Sequence, residues 1–122
     1  MKYVDRKTFL GLPAGVFYAR VDLRPNAVGI YDNLEVKGET LPSGRDFWST
    51  AIVGLATPDD DIRCTTEILL EQERAMRTSG ASFPMNDTIV RYGLYDEDQI
   101  FMIFELDDLR RLRDLVDAAL SE

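Results

Sequence analysis

The side chains with the clearest chemical potential are carboxylates in two runs, Asp59-Asp60-Asp61 and Asp96-Glu97-Asp98. Oxygen ligands of this type hold Mg²⁺ or Ca²⁺, and two such runs meeting in space could place metal ions for phosphoester hydrolysis. Neither run has a metal-binding spacing. Counted from Asp96, the sixth position is Phe101, where a calcium loop of the EF-hand type needs glycine. A solvated turn explains Asp96 to Asp98 more simply, and charge at a helix start explains Asp59 to Asp61. The sequence therefore nominates no metal site and no cofactor.

None of the 122 residues is histidine. That removes Ser-His-Asp and Cys-His nucleophile systems and the usual zinc and iron ligand sets. The single cysteine, Cys64, has no partner for an internal disulfide, and Arg63 is the only base beside it in an acidic neighbourhood. It reads as a small apolar filler rather than a reactive thiol. Ser43-Gly44 and Ser79-Gly80 lack the glycine-lysine pattern of a phosphate loop. No catalytic residue is nominated.

Binding is the remaining chemistry. Asp96, Glu97 and Asp98 form an acidic tip, and Trp48 and Tyr95 are the aromatic residues best suited to an exposed contact patch. A pocket lined by Tyr18, Trp48 and Tyr92 is the small-molecule alternative. A net charge of −8 comes from 22 acids against 14 bases, and 13 of those acids follow Asp61. Such a field repels phosphate backbones and disfavours direct nucleic-acid binding. It suits a protein partner with a basic surface. The chain has neither an apolar run of membrane-spanning length nor a signal-peptide pattern, so a cytoplasmic location without membrane contact is expected.

The elements that must position these residues are organised around Gln99 to Leu120. Ile100 to Phe104 is a run of five large apolar residues, expected to be an interior strand covered on both faces. Asp107 and Asp108 suit the start of a helix whose Leu109, Leu112, Leu115, Val116, Ala119 and Leu120 fall on one side. That stripe is expected to be buried against the sheet. Upstream, Asp5 caps a short helical turn through Leu10, and Leu12-Pro13-Ala14-Gly15 is a turn leading into a strand over Val16 to Val21. Further strands are expected over Val28 to Tyr31, Leu34 to Lys37 and Phe47 to Leu55. A central helix starts either near Pro58 or, as preferred, near Thr65, and ends at Gly80. Ile89 to Tyr95 should then form a hairpin with the strand beginning at Gln99.

This order predicts one globular α+β domain over residues 1–122, with a curved antiparallel sheet of about five to six strands. A central helix and a C-terminal helix would pack on one face. Such a sheet leaves two edges, one of which a second copy could cover to give a homodimer.

Two stretches, FLGLPAGVFYARV from Phe9 to Val21 and GLYDEDQIFMIFE from Gly93 to Glu105, resemble small uncharacterised proteins carried in bacteriophage and prophage genomes. The likeness covers about a fifth of the chain and consists of fold-forming residues, so it assigns no activity and no functional residue. It implies a context of small acidic binders that modify or block host machinery. The reading expected from the sequence is thus a non-enzymatic protein-interaction module or inhibitor. A carboxylate-based metal-dependent hydrolase is the enzymatic alternative.

Overall fold

The computed structural model describes residues 1–24, 26, 29, 31–56, 65–91, 93 and 96–121. Their elements are β1 (Lys2–Asp5), α1 (Arg6–Leu10), β2 (Phe17–Arg20), β3 (Glu35–Thr40), β4 (Phe47–Ala51), α2 (Thr65–Ser79), β5 (Val90–Arg91), β6 (Ile100–Ile103) and α3 (Leu106–Leu120). The strands form an open six-stranded antiparallel sheet in the order β1-β6-β2-β3-β4-β5. With its helices, the architecture is α+β, as the sequence pattern implies. β6 is interior, flanked by β1 and β2, in keeping with its uninterrupted apolar run.

Strand alternation sends Tyr18, Phe47, Ser49, Phe101 and Ile103 to one face of the sheet, where all are buried. α1 closes that face with a single ring. Asp5 caps this five-residue helix by accepting the Thr8 amide at 2.8 Å, but one turn of helix is too short to persist alone. Packing holds it. Phe9 stacks on Phe101 at 4.0 Å between ring centroids and meets Tyr18 and Phe47 edge-on at 4.7 and 5.0 Å. Edge-to-face and stacked pairs add roughly 0.5–1.5 kcal/mol each to the burial of the rings themselves.

Two buried charges brace the same layer. Lys37 reaches Leu12 O and Thr40 Oγ1, both at 2.9 Å, and Gly38 O at 3.1 Å. These neutral acceptors do not offset its loss of hydration, and burial lowers its pKa from the ordinary lysine value, with Glu39 opposing. Asp46 is fully enclosed. Its carboxylate accepts the Phe47 amide at 2.8 Å, the Gly93 amide at 3.1 Å and an ion pair from Arg91 at 2.9 Å.

That clasp explains one departure from the sequence reading. The expected hairpin between the Ile89 to Tyr95 strand and the strand after Gln99 does not form: β5 pairs with β4 at one edge, while β6 pairs with β1 and β2 toward the other. Asp46 ties residues 91 and 93 to the start of β4, and Gly93 takes a positive φ of 76°, so the chain is directed across the sheet instead of back along it. The partner that completes β6 is β1, a strand the sequence reading did not place. The strand expected through Leu55 ends at Ala51, leaving Leu55 in an isolated bridge with Met85. The preferred helix start at Thr65 agrees with α2, and the expected strand over Val28 to Tyr31 lies partly outside the described residues.

The second departure concerns α3. Its first turn is secured, with the Glu105 amide donating to Asp108 Oδ2 at 2.8 Å and the Met1 ammonium 2.6 Å from the same oxygen. Beyond that turn the stripe expected to be buried is only partly covered, with Leu109 and Leu112 half-buried. α3 contains no buried residue, and Leu106, Leu115, Val116 and Leu120 are 62, 50, 50 and 77% exposed. The core face is instead closed by Phe9 of α1 together with Val4, Leu10, Leu12 and Val16.

Candidate functional site

The acidic tip is a tight turn in which the Asp98 amide donates to Asp96 Oδ1 at 3.2 Å and the Gln99 amide to Asp96 O at 3.1 Å. It stands between two shallow clefts. Asp96 borders one of about 430 Å³ shared with Asp22, Arg24, Asp32 and Gln99. Glu97 borders another of about 360 Å³, where Arg6, Lys7 and Arg45 also contribute. The charge of the turn is therefore partly answered within the chain itself, which dilutes any single-signed acidic patch there.

Trp48 lies on the opposite face of the sheet from the core. It packs over Gly38, where an added Cβ would come within 2.8 Å of the Trp48 Cβ, and the indole remains 39% exposed. Its face is only partly covered, with Phe17 and Phe104 in contact at 6.5 Å between centroids and Tyr3 exposed. Tyr18 is buried on the core side and hydrogen-bonds Ser49, so it and Trp48 cannot line one pocket. Tyr92, Tyr95, Cys64 and Asp59 to Asp61 lie outside the described residues. Among the described residues, no three acidic or sulfur ligands come together as a metal-binding group.

A cleft that sequence reasoning missed opens beside Glu35. About 440 Å³ is lined by Arg20, Tyr31, Asp32, Asn33, Glu35 and Ala51. Arg20 and Asp32 pair across it at 2.9 Å. Behind Glu35 runs a buried hydrogen-bonded chain, with Tyr18 OH 2.6 Å from Ser49 Oγ and Ser49 Oγ 3.2 Å from Glu35 Oε1. Burial pushes the Glu35 carboxyl above its ordinary value, while the Ser49 hydroxyl and the Arg20 charge pull the other way. A hydroxyl beside a carboxylate has the form of an activated nucleophile. Ser49 is 1% exposed, however, so no substrate can reach it, and the chain serves to orient Glu35. The only sequence signal was the apolar-charged alternation of residues 34–37, which does not separate a half-buried acid from a solvated one.

α3 carries four exposed large apolar side chains, Leu106, Leu115, Val116 and Leu120. At 100° per residue, Leu106, Leu109, Leu112, Leu115, Val116, Ala119 and Leu120 occupy half of its circumference. Asp108 and Arg113 interrupt that arc, and the other half carries Asp107, Arg110, Arg111, Asp114 and Asp117, with Arg110 pairing to Asp107 at 3.0 Å. The helix is thus amphipathic: within the stripe Leu109 and Leu112 are half-buried, and Leu106, Leu115, Val116 and Leu120 are exposed.

No protein-family model, curated protein or solved structure matches the chain.

Proposed function

We propose that this protein is a small non-enzymatic interaction module of the cytoplasm, akin in role to the phage-type binders it resembles, and that α3 is its docking element. One observation carries this reading: a 15-residue amphipathic helix has no buried side chain. Isolated helices of this length are marginal in water, and most helical stability in proteins comes from packing an apolar face. Leu106, Leu115, Val116 and Leu120, left exposed on one helix, suit an interaction site. Its fixed first turn presents the stripe rigidly. The net charge of −8 favours a partner whose docking groove is rimmed with basic groups.

The test is capture from lysate by immobilised wild type, by a Leu115→Gln/Val116→Gln variant, and by an unrelated protein of equal charge. Both replaced residues are half exposed, so the variant should keep its fold and its net charge. Species retained by wild type alone would support docking through α3. Identical retention by all three would show that only charge is at work.

A further inference from the structure

We infer that the cleft beside Glu35 binds a primary ammonium group carried on a short alkyl stem, with Glu35 as its counter-ion. The inference does not depend on the docking reading of α3. Its first support is an unanswered charge. A carboxylate drawn part-way out of water is costly unless a cation or several donors replace its hydration. Glu35 is half-buried, yet its side chain has one neutral partner, the Ser49 hydroxyl at 3.2 Å, and forms no ion pair among the described residues. The cation that shares the cleft, Arg20, pairs with Asp32 at 2.9 Å. Its field reaches Glu35 without cancelling the loss of hydration, since burial remains the largest influence on the carboxyl and holds it above the ordinary value.

The second support is rigidity. Glu35 lies in β3 between Tyr18 of β2 and Ala51 of β4, and its side chain is held from behind by Ser49, itself 2.6 Å from the buried Tyr18 hydroxyl. A carboxylate fixed in this way loses little freedom when a ligand arrives. Glu97, on the exposed acidic turn, has no such anchor among the hydrogen bonds of the described residues.

The content of the cleft selects the ligand. Its volume of about 440 Å³ falls within the usual range of small-molecule sites, roughly 300–1,000 Å³. Arg20 and Asp32 offset one another, which leaves the single negative charge of Glu35 and calls for a single positive one. An anion would find Arg20 already engaged by Asp32. A divalent metal would find too few ligands, because no third acid among the described residues joins Glu35 and Asp32. Tyr31 and Ala51 complete the lining and offer a stem its apolar surface, and a tyrosine ring also favours a nearby cation.

Titration of the full chain with n-butylammonium chloride, followed by amide NMR at pH 7 and a constant ionic strength of about 0.15 M, tests this while screening long-range attraction to the net charge of −8. Saturable shifts with a Kd of about 1–10 mM are expected for so small a ligand. Glu35→Gln keeps an acceptor for Ser49 and should weaken binding about tenfold or more, and Asp32→Asn should do the same by releasing Arg20 to pair with Glu35. Glu97→Gln removes the same unit of charge elsewhere and should change the Kd by less than about twofold. Shifts that never saturate, binding unaffected by Glu35→Gln, or equal losses from the Glu35 and Glu97 substitutions overturn the inference. Nα-acetyl-lysine methylamide carries the same ammonium on the same four-carbon stem and separates the two sources of such a group. Binding no tighter than that of butylammonium supports a free amine, and binding about tenfold tighter supports a lysine of a partner protein.

Discussion

Glu35 shows how a single side chain can be both half enclosed and tied to the core. Because burial holds its carboxyl above the ordinary value, the folded protein keeps this proton to higher pH than the unfolded chain does. Its contribution to stability is therefore fully present below the unfolded value, about 4.3, and is lost as pH rises through the folded value. Glu35→Gln removes the titration while keeping an acceptor for Ser49. It should raise the melting temperature at pH 7 by about 2–4 °C, with the gain vanishing toward pH 4. Thermal melts at several pH values check this, and a variant that is less stable at pH 7 would contradict the assigned direction. No sequence pattern announces this residue. Its environment is created by β2 and β4 approaching from positions 18 and 49, and such long-range proximity is invisible to local spacing.

Among the elements, α1 has the least intrinsic stability and the greatest structural consequence. Five residues cannot form a stable helix by propensity, so its position depends on Phe9. Phe9→Ala should cost about 3–5 kcal/mol, the range for emptying a buried aromatic site, and denaturant titration would measure it. A cost below about 1 kcal/mol would mean that the ring cluster is not the core. Elements with strong local signals were legible in the sequence. The aspartate cap before Arg6, the apolar run of β6, the helix formers from Thr65 to Ser79 and the period of α3 each report conformation through neighbouring residues. Partnering was not legible. The sequence suggested that α3 is amphipathic but not that Phe9 of α1 would close the core or that Leu106, Leu115, Val116 and Leu120 would be left exposed, and KYVD in β1 has too little alternation to declare a strand. Of the candidate site, the acidic turn was legible because its residues adjoin. The cleft beside Glu35 and the exposed side chains of α3 required the tertiary arrangement.

At the scale of the whole molecule, strand order matters more than strand number. β6 carries residues 100–103 yet lies between β1 and β2, whose residues fall within the first twenty. A fragment ending at Asp98 would lack β6, leaving β1 without its sheet partner and β2 with β3 alone. It should show no cooperative thermal transition by circular dichroism, and a sharp transition in that fragment would show that β6 is dispensable. For a chain emerging from the ribosome, the same order sets a schedule. The first strand is made early and must wait, its hydrogen-bonding edge exposed, until the sixth has been synthesised about a hundred residues later. At roughly 5–20 residues per second that wait lasts about 5–20 seconds. The charged residues in KYVD, Lys2 and Asp5, then gain a role unconnected with the finished fold, since charges on an unpaired edge discourage other chains from pairing there first.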